Sequence, residues 1–258
     1  MLADDLTSRL ADAAALPRVV LATDFDGTLA PFVENPMEAA PIEGAMDVLR
    51  EAATLEGVTV ALVSGRDVDT LGLLSGTTPQ DGIDLIGSHG GQSSRDDLAG
   101  GALLDEAATA RLAALDEAMV DLLTRHPEAR IERKPAAVAM HTRGLPADVA
   151  AAALRDAATL GDRPGVHALA GKSVVELSVL EANKGLALQA LKSLVDADAV
   201  IYLGDDVTDE HAFTRLNAAE GDITIKVGDG DTAAEHRVPG IPEVLEVLTA
   251  FVAARRRR

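Results

Sequence analysis

The chain has 258 residues, 47% hydrophobic but only 2% aromatic, so it can bury a sizeable core, and that core must be built from Ala, Val, Leu and Ile. Its 42 acidic and 23 basic residues leave a formal charge of −19, which excludes nucleic acid as a general partner because phosphate backbones are bound through a basic footprint. With no Cys, no apolar run long enough to span a bilayer and an acidic start (Met1-Leu2-Ala3-Asp4-Asp5), the expectation is a cytoplasmic protein without disulfides, thiolate metal sites or a membrane partner.

Residues 3–15 predict a helix, closed by Pro17. The apolar run from Val19 to Ala22 predicts a buried strand, and Asp24-Phe25-Asp26-Gly27-Thr28-Leu29 follows at its carboxyl end. Residues 44–55 predict a helix, with Ala45, Val48, Leu49 and Ala52 at helical spacing. A strand over 58–63 ends in Ser64-Gly65-Arg66 and leads into a short helix over 68–74. A third strand, 83–86, is followed by Gly87-Ser88-His89-Gly90-Gly91. This alternation is the α/β pattern of a parallel sheet flanked by helices.

The pattern then changes. A long helix over 105–126 stops at Pro127, and strands follow over 130–133 and 137–142. A helix over 146–160 opens with Pro146 in its first turn, and strands over 166–169 and 173–179 close the block. That order fits a small α+β module inserted into the larger sheet. The expected division is a core of residues 1–92 and 181–258 with an insert of residues 93–180. The first pattern resumes with a helix over 184–195 and a buried strand over 199–203 that ends in Gly204-Asp205-Asp206-Val207-Thr208-Asp209-Glu210. A helix over 210–216, a strand over 223–227 and a last helix over 242–254 complete the chain. The run Arg255 to Arg258 reads as a solvated, frayed end after that helix.

Four segments can carry chemistry, and three of them lie at strand ends, where open α/β sheets bind ligands. Asp24 and Asp26 crowd two carboxylates together, which is costly unless a cation neutralises them, and oxygen ligands of this kind suit Mg²⁺. A carboxylate can also attack phosphorus, and a second one two residues on can move the protons. Asp-Gly is equally a common turn. Ser64 and Gly65 offer a hydroxyl and a free amide to a phosphate, or an ordinary helix cap. Lys184 sits at a helix start, where a cation opposes the helix dipole, so it is suspected of neutralising a phosphoryl group. Asp205, Asp206 and Asp209 exceed what a cap needs and point to a metal.

The order of nucleophile, hydroxyl, lysine and acid cluster resembles the haloacid dehalogenase-like (HAD) phosphohydrolases. Asp24-Phe25-Asp26-Gly27-Thr28-Leu29 is the most specific piece. The insert narrows the likeness: Glu132-Arg133-Lys134, Met140-His141-Thr142-Arg143 and Gly171-Lys172-Ser173-Val174-Val175-Glu176 resemble the cap of trehalose-phosphate phosphatases. The resemblance implies a Rossmann-like parallel core with an inserted α+β cap of the C2B type. It implies Mg²⁺-dependent hydrolysis of trehalose 6-phosphate, and a trehalose-phosphate synthase as a pathway partner; a monomer is the expected state.

In this reading Asp24 is the nucleophile and Asp26 the acid–base. Thr28, Ser64 and Lys184 hold the phosphoryl oxygens. The metal is held by Asp24, the Asp26 carbonyl and Asp205, with Asp206 and Asp209 assisting. Gly65, Arg66, His89, Glu132, Lys134, His141, Arg143, Lys172 and Glu176 are the candidate substrate contacts. Glu132 and Lys134 share one strand face, which could equally be a solvent face, and His141 is a sugar contact or a structural His. One departure stands out: the family usually has Glu two residues after His-Gly, where this chain has Gln92. The rivals are a capped phosphatase for sucrose phosphate or mannosyl-3-phosphoglycerate, a phosphoacceptor signalling module, which needs no insert, and a non-catalytic regulatory relative.

Overall fold

Val19–Thr23 forms a strand, β1, whose five residues are all buried. In the computed structural model, which describes residues 2–98, 104, 106–134, 136–171, 173–179 and 183–258, β1 is the centre of a seven-stranded sheet. The other strands are β2 (Val58–Val63), β3 (Ile83–Gly87), β4 (Gln92–Ser93), β9 (Ala199–Gly204), β10 (Ile223–Val227) and β11 (His236–Val238), in the order β11-β10-β9-β1-β2-β3-β4. All pairings are parallel except β3 with β4.

Both faces of the sheet are covered, which is why its strands read as continuous apolar runs rather than alternating ones. Val19 and Leu21 of β1, with Leu62 and Leu203, face α1 (Asp4–Ala15), α2 (Ala45–Ala53) and α8 (Ile241–Arg255) through Leu6, Leu10, Leu49, Leu248 and Phe251. Val20 and Ala22, with Val63 and Tyr202, face α6 (Lys184–Leu194) and α7 (Val207–Arg215) through Leu188, Leu191 and Phe213. The strand period of two thus splits each strand between two cores. A short helix, α3 (Val68–Ser75), adds Leu71 to the first of them.

The chain divides into two compact units, Met1–Leu98 with Ala182–Arg258, and Ala99–Glu181. Gln92–Ser93 pairs with β3, so the sheet of the first unit continues past the expected junction at residue 92. The second unit is a four-stranded antiparallel sheet, ordered β5 (Arg130–Lys134), β6 (Ala137–His141), β8 (Val174–Ser178), β7 (His167–Gly171). Helices α4 (Glu106–Arg125) and α5 (Ala147–Ala158) pack on one face of it through Leu115, Met119, Leu122, Ala153 and Ala157 against Val138, Met140, Val175 and Leu177.

Three expectations are corrected. Helix α7 starts at Val207, not 210, because Asp206 caps it: its carboxylate accepts from the Val207 N–H, and Asp209 accepts from the Asp206 N–H. The short strands β4 and β11 were not expected; neither is long enough to show a period. The arginine run is solvated from Arg256 onward, as expected, but not at Arg255. Arg255 is only 5% exposed, and its guanidinium donates to the main-chain carbonyls of Ala14, Leu16, Pro17 and Glu56, while Arg256 pairs with Glu51 at 2.7 Å.

Candidate active site

The parallel register brings three loops level. Thr23 stands beside both Leu62 and Leu203, so Asp24, Ser64 and Asp205 emerge at one edge of the sheet. The Asp24 N–H donates to the Leu203 carbonyl (2.8 Å) and the Ser64 N–H to the Ile86 carbonyl (2.8 Å), which ties each loop to its neighbouring strand. Lys184 comes from the first turn of α6, where Asn183 caps the helix by accepting from the Gly185 and Leu186 N–H groups. The lysine runs inward. Its Nζ lies 2.8 Å from Asp24 Oδ1 and 2.7 Å from Asp209 Oδ1, and the side chain is 2% exposed.

One buried ammonium therefore serves two buried carboxylates. Burial pushes the Asp24 carboxyl up to about 8; Lys184 pulls against this, and the Asp209 charge adds to it. Burial also raises Asp205, opposed by a hydrogen bond from Thr28 and helped by Asp209. Burial pulls Lys184 down, but Asp24 and Asp209 outweigh it and hold the lysine above its ordinary value. An isolated ion pair would lower its acid. Here the acid rises because burial and a second carboxylate exceed what one ammonium offsets.

Oxygens of Asp24, Asp205 and Asp209 lie within 4.8 Å of one another, a cluster that could hold a metal ion. Asp205 is fixed from three directions. Thr28 Oγ1 donates to its Oδ1 at 3.1 Å, Lys226 Nζ donates to its main-chain carbonyl, and its carboxylate lies against Gly27. Gly27 has φ +80°, and a Cβ there would stand 2.1 Å from Asp205 Oδ2, so only glycine admits this approach. Thr28 is fully buried and does not line the cleft, so in this structure it orients Asp205 rather than facing a phosphate. Asp206 lines the cleft, but its carboxylate is the helix cap and lies outside the acid cluster.

The cleft has a volume of about 380 Å³, within the range of small-molecule sites. Asp24, Asp26, Ser64, Gly65, Arg66, His89, Lys184 and Asp206 line it, with Phe32 and Thr208. Arg66 grips Asp26 with a two-pronged fork, Nε to Oδ2 and Nη2 to Oδ1, both at 2.6 Å. That hydrogen bonding raises the arginine above its usual value. Ser64 Oγ accepts from the Arg66 N–H at 3.2 Å. His89 follows Ser88 in left-handed backbone (φ 56° and 51°) and sits over Gly65, whose Cβ, if present, would lie 2.6 Å from His89 Cε1. Burial and then the Lys184 charge lower the pKa of the His89 imidazole, and its Nδ1 is buried with no hydrogen-bond partner among the described residues.

In the second unit, strand register aligns Glu132 with Ala139 and Glu176, and Lys134 with Ala137. The face opposite α4 and α5 therefore carries Glu132, Lys134, His141 and Glu176. Lys134 Nζ meets Glu176 Oε2 at 2.5 Å, and His141 Nε2 meets Glu132 Oε2 at 2.7 Å. Arg143 is exposed beyond β6. Lys172 lies outside the described residues.

Two residues at the site were missed by sequence reasoning. Tyr202 is fully buried with its hydroxyl 2.6 Å from Asp209 Oδ1; its signal was a lone polar tip in the apolar run before Gly204. Lys226, 5% exposed in Ile-Thr-Ile-Lys-Val, signalled itself as a charge inside a buried strand. Gln92 caps α3 with its Oε1, which accepts from the Val68 N–H at 3.1 Å. A neutral amide suffices for that bond, so the departure from Glu leaves the loop's support in place.

Comparison with known proteins follows the same lines. The trehalose-phosphatase family is matched over residues 22–238. Over 232 residues, or 86% of this chain, the sequence is 33% identical to a trehalose-phosphate phosphatase of Mycobacterium marinum, of which it spans 58%. Over 245 residues, or 90% of the chain, it is 29% identical to the trehalose-6-phosphate phosphatase of Escherichia coli, of which it spans 87%. The fold is similar to that of an Aspergillus fumigatus trehalose-6-phosphate phosphatase, with a TM-score of 0.60, 24% identity, and coverage of 96% of this chain and 97% of the other.

Proposed function

Because the chain belongs to the trehalose-phosphatase family, we propose that it hydrolyses trehalose 6-phosphate to trehalose and phosphate through an aspartyl-phosphate on Asp24. The observation that carries the reading is the Lys184 ammonium bound to Asp24 in the floor of a cleft, with Ser64 and Arg66 on its wall. That arrangement puts a nucleophile and phosphate-binding donors in one place, as phosphoryl transfer needs.

An Asp24 oxygen attacks phosphorus, and the bond to the sugar oxygen breaks. Asp26 gives that oxygen its proton. Asp26 then takes a proton from water as the water attacks phosphorus, and the bond to Asp24 breaks to release phosphate. Ser64 and Lys184 hold the phosphoryl oxygens. In the resting arrangement both Asp26 oxygens are engaged by Arg66, so the acid–base role requires this fork to open. The incoming phosphate supplies the competing acceptor, because guanidinium forks bind phosphate as well as carboxylate.

The acid cluster fits Mg²⁺: its donors are hard oxygens, and three carboxylates converge where one ammonium lies, so a divalent cation would favour the ionised forms that burial disfavours. Asp24, Asp205 and the Asp26 main-chain carbonyl would hold the ion, with Asp209 beside them. When bound, it supplies positive charge for the phosphoryl oxygens. On the second unit, Glu132 and Glu176 would accept from sugar hydroxyls, with Lys134, His141 and Arg143 as donors.

The test is acid quenching of the protein during turnover of trehalose 6-phosphate with Mg²⁺, followed by mass spectrometry of the peptide that carries Asp24. One added phosphoryl group on that peptide is expected, with more of it in Asp26→Asn turning over p-nitrophenyl phosphate, whose leaving group needs no proton, so that only the second step stalls. Turnover without phosphorylation of Asp24 in either protein would contradict the mechanism.

A further inference from the structure

Tyr202 has no role in the chemistry above, yet it reaches the centre of the site. Its phenol donates to Asp209 Oδ1 at 2.6 Å, and the same oxygen accepts from Lys184 Nζ at 2.7 Å. Asp209 Oδ2 accepts from the Asp206 N–H at 2.9 Å. Gly204 closes the remaining side, since a Cβ there would lie 2.3 Å from Asp209 Cγ. Both Asp209 oxygens are thus committed to donors of the protein, and the carboxylate has one orientation.

We propose that Tyr202 is a positioning residue for phosphoryl transfer: its hydroxyl fixes the Asp209 carboxylate, and Asp209 aims the Lys184 ammonium at Asp24. The inference rests on the phosphatase reading given above.

Packing alone does not require a tyrosine. The ring sits among Val200, Leu188, Leu191, Ala212 and Phe213, and its centroid is 5.9 Å from that of Phe213. A phenylalanine would fill the same space and spare the desolvation of a hydroxyl. The hydroxyl is therefore explained by its single bond to Asp209. Without it, Oδ1 keeps the Lys184 ammonium as its donor, so that oxygen is held by the very group it has to aim, while Oδ2 stays on the Asp206 N–H. The ammonium, shared between Asp209 and Asp24, then settles in a slightly different place relative to the reacting oxygen. Misplacement of a catalytic group by about 1 Å costs up to about a hundredfold in rate.

The chain has one tyrosine and no tryptophan, so its tyrosine near-ultraviolet band reports on residue 202 alone. The experiment compares wild type with Tyr202→Phe on trehalose 6-phosphate and on p-nitrophenyl phosphate, both with Mg²⁺. It also titrates wild type with beryllium fluoride, a mimic of a phosphoryl group on a carboxylate, and follows that band. For Tyr202→Phe, kcat is expected to fall about tenfold on both esters while KM stays within about twofold, the signature of an interaction realised in the transition state. For wild type, a saturable tyrosine difference spectrum is expected that tracks inhibition by beryllium fluoride.

An unchanged kcat in Tyr202→Phe would overturn the proposal. So would inhibition of wild type with a silent tyrosine band, and that arm needs no variant that folds. A wild type that hydrolyses neither ester would contradict the phosphatase reading itself, and the positioning role would fall with it.

Discussion

Replacing Lys184 by Met removes the ammonium that Asp24 and Asp209 share while keeping most of the side-chain volume. The Nζ–oxygen distances are 2.8 and 2.7 Å. At an effective dielectric of about 20, each such pair is worth about 6 kcal/mol of attraction. Desolvation of the buried ions offsets much of it, and removing one partner of a buried pair costs about 3–5 kcal/mol. Taking about 4 kcal/mol, the melting temperature should fall by about 8–16 °C. The assay is thermal unfolding by circular dichroism in EDTA, from pH 4 to pH 8. The sign of the pH dependence follows from Asp24, which burial pushes up to about 8 in the folded protein. An acid raised above its unfolded value, about 3.9, contributes stability that is fully present below that pH and is lost as pH climbs through the folded value. Wild type therefore loses stability between about pH 4 and pH 8, and Lys184→Met loses it more steeply, because Asp209 has lost the same ammonium and a second buried carboxylate then takes up a proton on folding. The gap between the two should be small near pH 4 and widest near pH 8. A Lys184→Met protein that melts within about 2 °C of wild type at pH 8 would refute the charge balance drawn here, since it corresponds to about 1 kcal/mol or less. A gap of constant size across the pH range would assign the loss to packing instead.

Arg255→Ala should lower the melting temperature by about 6–12 °C, from a loss of about 3 kcal/mol of charge-assisted bonds to four main-chain carbonyls, with kcat unchanged. Gly27→Ala forces a Cβ to within 2.1 Å of Asp205 Oδ2. A Mg²⁺ titration of phosphate release should then show half-saturation raised by about tenfold or more, since small displacements of ligating groups cost that much. Glu176→Gln should raise KM for trehalose 6-phosphate about tenfold, the worth of one charge-assisted hydrogen bond, and leave p-nitrophenyl phosphate kinetics unchanged.

Much of this architecture is legible because parallel strands buried on both faces are written as unbroken apolar runs. Val19 to Ala22 and Ala199 to Leu203 are such runs, and the polar residues that follow them fall at the sheet edge by construction. Asp24, Ser64 and Asp205 could therefore be named from order alone, and Lys184 from being a cation at a helix start. What stayed hidden depends on pairings that no local pattern encodes. Thr28 meets Asp205 across 177 residues of sequence, and Lys226 meets the same residue from a neighbouring strand. Arg255 clamps carbonyls of a loop 238 residues earlier, so a tail rich in arginine looked solvated when one of its members is interior. The acid loop misled in a different way. Its charges were read as ligands, which obscured the Asp206-to-Asp209 capping box and displaced the start of α7 by a turn.

The central claim is that this site dephosphorylates trehalose 6-phosphate. The most direct measurement is the initial rate of phosphate release, with Mg²⁺, from trehalose 6-phosphate, sucrose 6-phosphate and mannosyl-3-phosphoglycerate side by side. The account predicts a kcat/KM for trehalose 6-phosphate at least about tenfold above the other two, and its loss in Asp24→Asn. Equal rates on all three, a preference for another ester, or full activity in Asp24→Asn would contradict it.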